Sequence, residues 1–111
     1  MAANWCVETL DVRVDQELEA MPADVRSRLM RIAHLIEEFG PVAVGMPHIR
    51  SLGRSLWELR AGGRDAIGRG IYVVASGRRV VIVHAFIKKT QQTPERTLQI
   101  ALQRAKEARL L

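Results

Sequence analysis

The sequence has too little of several residue types to support whole classes of function. A single cysteine, Cys6, has no partner for an internal disulfide, so neither a disulfide scaffold nor a paired-thiol redox centre is available. In the apolar setting "WCV" it is expected to be a small buried hydrophobe and not a nucleophile. The three histidines, His34, His48 and His84, are scattered, and no CxxC or HExxH spacing accompanies them, so no metal and no cofactor is expected. Glycine gathers in "RAGGRDAIGRG", but no GK[ST] follows and no helix opens there, which argues against a phosphate-loop nucleotidase. Aromatic residues make up 5% of the chain, too few for the stacking platform of an autonomous RNA-recognition domain. No apolar run is long enough to span a bilayer. The start "MAANWCVETLDVRVD" lacks a basic segment followed by an apolar one, so no secretion signal is expected and the expected compartment is the cytoplasm.

What is present points to one domain over residues 1–111, because a chain of this length with 48% hydrophobic residues can bury one compact core. Charge is divided unevenly along it. Residues 1–47 hold four basic side chains against eight acidic ones, and residues 48–111 hold thirteen against four, giving −4 and +9 within the net +5. A split of this kind suggests one face for a polyanion, with nucleic acid the foremost candidate. The plainer reading is a set of solvated charges, since fourteen of the seventeen basic residues are arginine.

The pattern of apolar residues predicts an α+β domain. "WCVETL" alternates partly and predicts a first strand before Asp11. A short helix from about Val12 to Met21 follows. In "PADVRSRLMRIAHLIEEFGP" the residues Val25, Leu29, Ile32, Ile36 and Phe39 fall on one helical face, with Pro22 in the first turn and Gly40 and Pro41 as the stop. After "GPVAVGMP" the pattern turns to strands: "HIRSL", "SLWELRA", "AIGRGIYVVA" and "RRVVIVHAFI". In the last of these both alternating sets, Val80, Ile82, His84 and Phe86 against Val81, Val83, Ala85 and Ile87, are mostly apolar, which predicts a central strand. Thr93 as N-cap and Pro94 at the first helical position open a terminal helix striped by Leu98, Ala101, Leu102 and Ala105. The expected fold is thus an N-terminal helical hairpin and a C-terminal helix packed on one side of a mostly antiparallel sheet of four to five strands.

Cations on or beside these strands are the candidates for chemistry: Arg60 in "WELRA", Arg69 in "IGRGIY", and Lys88 and Lys89 in "FIKKT". Alternation puts Leu56, Glu58 and Arg60 on one face and Trp57, Leu59 and Ala61 on the other, so Trp57 is expected to pack against the helices. Arg69 shares its face with Ile71 and Val73, where a guanidinium is costly unless it meets an anion. Taken singly, Arg60 could pair with Glu58 and the lysines could blunt a strand end. Convergence at one end of the sheet would make a phosphate site.

"LWELRAGG", "RGIYVV" and above all "VVIVHAFIKKTQQTPERTLQIALQRAKE" resemble the RelE/HigB superfamily of type II toxins, in particular its phage-derived HigB-like branch. The resemblance covers roughly Leu56 to Arg109. It implies a RelE-like fold and a ribosome-dependent mRNA endonuclease. It also implies a cognate antitoxin, often with a helix-turn-helix domain, so that DNA would be bound only through that partner; the other partners would be the ribosome and mRNA. Carried over by motif position, the catalytic residues would be Arg60, Arg69, Lys88 and Lys89, with Thr90 and Gln92 lining the same groove; Arg54 and Arg64 are further candidate RNA-binding positions. Two positions depart from the pattern: Gly68 precedes Arg69 where relatives commonly have tyrosine, and the terminal helix has no tyrosine. They motivate the alternative of a non-catalytic module that binds an antitoxin or rRNA.

Cleavage of RNA by such residues needs no metal, because the RNA supplies its own nucleophile, the 2′-hydroxyl. The protein must align that group, remove its proton, stabilise the added negative charge and protonate the leaving 5′-oxygen. Arginines match phosphate oxygens bidentately, which suits Arg60 and Arg69. A lysine crowded by cations loses its proton more easily, which makes Lys89 or Lys88 the general base or acid. His84 could supply the complementary transfer, although its apolar neighbours suit a hydrogen-bonded core histidine.

Overall fold

Asp11 starts the first helix by accepting the Arg13 amide on its side chain, at 3.0 Å. The computed structural model describes residues 4–88 and 93–111. Along the chain these form β1 (Cys6–Thr9), α1 (Val12–Glu19), α2 (Ala23–Phe39), α3 (Pro41–Val44), β2 (Ile49–Gly53), β3 (Leu56–Gly62), β4 (Ile67–Ala75), β5 (Arg79–Lys88) and α4 (Glu95–Glu107). The short α3, where Pro41 begins a new turn after α2 stops at Gly40, is the element the pattern did not predict. The strands form one sheet in the order β1-β5-β4-β3-β2. β1 pairs with β5 in parallel, and the other three pairings are antiparallel.

The helices cover both faces of the sheet, not one. Val14 of α1 and Val25, Leu29, Ile32 and Ile36 of α2 pack with Leu59, Ala61, Tyr72, Val80, Ile82 and Ala85. On the opposite face Ala101, Leu102 and Ala105 of α4 pack with Leu56, Ile71, Val73, Val81 and Val83. The reason lies in the central strands: β4 and β5 are apolar on both sides, so one helical layer would leave half of that surface in water. No helix among the described residues is long and apolar enough to cross a membrane.

Alternation along β5 breaks at one point. Ile71 pairs with His84, but the next residue, Tyr72, pairs with Ile82, which leaves Val83 as an extra residue. Such a bulge flips the facing of all that follows. Val80 and Ile82 therefore belong with Ala85 on the α2 side, while Val81 and Val83 share the α4 side with Phe86. The two alternating sets expected from the sequence are thus exchanged beyond Val83, which brings His84, Phe86 and Lys88 onto the face of their β4 partners Ile71, Arg69 and Ile67.

Two further expectations fail for positional reasons. Cys6 is exposed, because β1 is an edge strand that turns Val7 toward the core and Cys6 outward. Trp57 does face the α2 side but remains 38% exposed. It lines a groove with Trp5, Pro41, Val42, Met46 and Val74 instead of being covered by the helices.

Candidate functional site

Register alone gathers the cations. Arg60 on β3 pairs directly with Arg69 on β4, Arg69 pairs with Phe86 on β5, and Lys88 pairs with Ile67 two residues before Arg69. Arg50 on β2 sits opposite Glu58 on β3. Antiparallel partners lie about 4.5–5.5 Å apart at their Cα atoms, so Arg50, Glu58, Arg60, Arg69 and Lys88 share one compact region. Arg60, Arg69 and Lys88 therefore converge on neighbouring strands.

Glu58 is the hub of this region. Its side chain and that of Arg69 are both fully buried, and Arg69 Nη1 donates to Oε1 at 3.3 Å and to Oε2 at 3.4 Å. Arg50 forms an ion pair with Oε1 at 3.4 Å, its side chain 34% exposed. Thr93 Oγ1 donates to Oε2 at 2.6 Å, and α4 is capped by Pro94. Thr93 is therefore not the expected N-cap: Pro94 holds that position, one residue later, and the Thr93 hydroxyl donates to the sheet. Arg69 was expected to need an anion, and within the protein that anion is Glu58. Burial lowers the pKa of Arg69, the Glu58 charge holds it up, and Arg60 lowers it again.

Lys88 is also buried, and among the described residues its ammonium has no hydrogen-bond partner. Its pKa is lowered, first by desolvation and next by the Arg69 charge. Glu58 acts in the opposite sense, while Arg50 and Arg60 add to the lowering. Burial and neighbouring cations both disfavour the ammonium form. Both effects make Lys88 a readier proton donor than a solvated lysine and favour its neutral form.

The other candidates divide. Arg60 is half-buried beside Arg69. Arg54 stands at the β2–β3 turn with a positive φ of 55° and pairs with Glu95, in the first turn of α4, at 3.6 Å. Arg64 is exposed in the β3–β4 loop, where its amide donates to Asp24 Oδ2 at 2.8 Å. Lys89, Thr90 and Gln92 lie outside the described residues.

His84 joins a different cluster. Its Nδ1 lies 3.0 Å from Glu17 Oε2, and its ring stacks on Phe86 at 5.2 Å between centroids. Glu17 also accepts the Ala85 amide at 3.0 Å, and Arg104 reaches Glu17 and the Val83 carbonyl at 3.0 Å each. β1 stops pairing at Ile82, so beyond that point these two side chains serve the backbone groups of β5. His84 is held as part of that edge, its pKa lowered by burial against the opposing pull of Glu17.

Arg50 and Glu58 are the residues that reading the sequence did not assign to the site. Glu58 could have been found, since it shares the alternating face of Arg60. Arg50 depends on the β2–β3 register, which short strands do not reveal. Gly68, the departure before Arg69, has a packing cause: a Cβ there would meet Val25 Cγ1 at 2.2 Å and Leu29 at 3.2 Å. The position faces α2, away from the cations. Among the described residues no three of histidine, cysteine, aspartate and glutamate form a group that could hold a metal.

The family model described as Phage derived protein Gp49-like (DUF891) matches residues 16–106. Among solved structures, a mutant of the E. coli toxin RelE in the free state superposes with a TM-score of 0.65, at 15% sequence identity, over 94% of this chain and 98% of that one. Among curated proteins none matches significantly. The family match and the shared RelE fold bear out the resemblance that the "FIKKTQQTP" segment carries.

Proposed function

From the premise that the chain belongs to the phage-derived Gp49-like family, we propose that it is the toxin of a type II toxin–antitoxin pair and cleaves mRNA on the ribosome, in the cytoplasm. The observation that carries the reading is the buried Lys88 ammonium, without a hydrogen-bond partner among the described residues, beside Arg69 and within the field of Arg50 and Arg60. Glu58 pairs with Arg69 and Arg50, and Arg60 and Lys88 lie in the same region, a concentration of positive charge suited to an incoming anion such as a phosphodiester.

Arg60 takes the phosphate oxygens, because it is the arginine beside Arg69 that reaches solvent. Lys88, in its neutral form, accepts the 2′-hydroxyl proton as the oxygen attacks phosphorus. The bond to the 5′-oxygen breaks, leaving a 2′,3′-cyclic phosphate and a 5′-hydroxyl. Protonation of that leaving oxygen falls to Lys89 on the sequence pattern alone. Arg69 acts through its charge, since its guanidinium is engaged by Glu58. The ribosome provides the alignment that a domain with few aromatics does not supply, and a cognate antitoxin with a helix-turn-helix domain holds the protein inactive.

Induced in a bacterial host, the protein should arrest growth and cut translated messages, and Arg60→Ala and Lys88→Met should abolish both while remaining folded. Full toxicity in both variants would refute the site. The second reading, a non-catalytic module binding an antitoxin or rRNA, is favoured by the complete burial of Arg69. Ribosome binding without message cleavage would establish it.

A further inference from the structure

We infer that Glu58 is a positioning residue for this site: its carboxylate pins the Arg69 guanidinium, ties the start of α4 to the sheet through Thr93, and supplies the counter-charge beside Lys88. The inference rests on the proposed cleavage site and adds a residue that the family motif did not assign to it.

Glu58 does not touch the RNA. Its side chain is fully buried, and both oxygens are engaged, Oε1 by Arg69 and Arg50 and Oε2 by Arg69 and Thr93. A fully buried carboxylate paired on both oxygens is shielded from an incoming hydroxyl. What it controls is placement. Without it, Arg69 would be a buried guanidinium with its carboxylate gone, and it would move toward solvent or toward whatever anion came first. Thr93 would lose its acceptor, and with it the 2.6 Å bond that joins the first residues before α4 to the middle of β3.

The second consequence is electrostatic. Lys88 lies among Arg50, Arg60 and Arg69, and Glu58 is the group opposing their combined effect on it. Removing that charge while keeping the side chain's shape takes away the group that opposes the cations' effect on Lys88. The lysine then gives up its proton at lower pH. A residue serving stability alone would change the unfolding midpoint and leave the titration of Lys88 where it was.

The test uses the full chain, labelled with 13C at lysine Cε. Only Lys88, Lys89 and Lys106 report, and substitution of each assigns its signal. In Glu58→Gln the Lys88 midpoint should fall by about one pH unit, the effect of losing one nearby opposite charge, while Lys106 on α4 stays fixed. The pH dependence of message cleavage should move to lower pH by the same amount, and Glu58→Asp should restore the Lys88 midpoint toward that of the wild type. If Glu58→Gln does not fold, Glu58→Gln with Arg69→Met serves. Measured against Arg69→Met alone, the Lys88 midpoint should again be lower in the double variant, since the Glu58 charge is what the two proteins differ by. An unchanged Lys88 midpoint in the variant used overturns the inference. The titration needs no RNA, so a wild-type protein that fails to cut messages defeats the proposed function and leaves this measurement still able to decide the role of Glu58.

Discussion

The Glu58–Arg69 pair gives a stability prediction that separates a buried ion pair from a surface one. Arg69→Met keeps most of the side-chain volume and deletes the charge, leaving a fully buried carboxylate with Arg50 at 3.4 Å and Thr93 at 2.6 Å. Breaking a buried pair from one side costs about 3–5 kcal/mol. The remaining contact to Arg50, which is one-third exposed, offsets roughly 1 kcal/mol of this. The expected loss is therefore about 2–4 kcal/mol. Glu58→Leu should cost at least as much, since it takes the carboxylate away from the buried guanidinium. Deleting both charges removes the desolvation penalty with the attraction. Arg50, Arg60 and Lys88 would still lie together with the Glu58 charge gone, so the double variant should retain a cost of about 1–2 kcal/mol. Urea unfolding of the four proteins, with midpoint and slope both fitted, yields the coupling energy. Single variants that each cost under about 1 kcal/mol, or a double variant equal to their sum, would refute the reasoning. Arg69→Ala is for the same reason a poor probe of activity, and Arg60 and Lys88 are better ones.

Three further outcomes follow from packing and charge. Gly68→Ala should destabilise by about 1–3 kcal/mol, because its Cβ would overlap Val25 Cγ1 at 2.2 Å; a neutral result in urea unfolding would contradict the α2 packing. Lys88→Met should raise the urea midpoint while abolishing cleavage, since it removes a buried ammonium that lacks a partner among the described residues; a lowered midpoint would contradict this. Stability should fall on acidification. The folded state lowers the pKa of His84 from its usual 6.5 and that of Glu17 from its usual 4.5, so below each value the unfolded chain binds more protons. His84 contributes fully above pH 6.5 and loses its contribution as pH falls through its lowered value, and Glu17 follows below pH 4.5. A urea midpoint unchanged between about pH 7 and pH 5 would contradict the His84 part.

The elements were legible because each carries a local signal. The α2 face repeats at three and four residues, Gly40 and Pro41 end that helix, and β4 and β5 are dense in β-branched residues. What stayed hidden depends on how distant segments meet. The extra residue at Val83 reverses the facing of half of β5, and nothing in "VVIVHAFI" marks it. The placement of α4 opposite α2 follows from that two-sided strand but could not be read from the terminal helix. Within the site, Arg60, Arg69 and Lys88 were legible as cations on strands. That Arg69 is satisfied internally by Glu58 was not, because side-chain pairing depends on register. Thr93 carried the local signature of a cap, but Pro94 holds that position and the Thr93 hydroxyl donates to Glu58.

The most direct test of the central claim is single-turnover cleavage of a message on a programmed ribosome, with the 3′ ends of the fragments identified. The account predicts 2′,3′-cyclic phosphate ends in the wild type and none above background in Lys88→Met. Undiminished cleavage by the folded Lys88→Met protein, or fragments ending in 3′-hydroxyl, would contradict it.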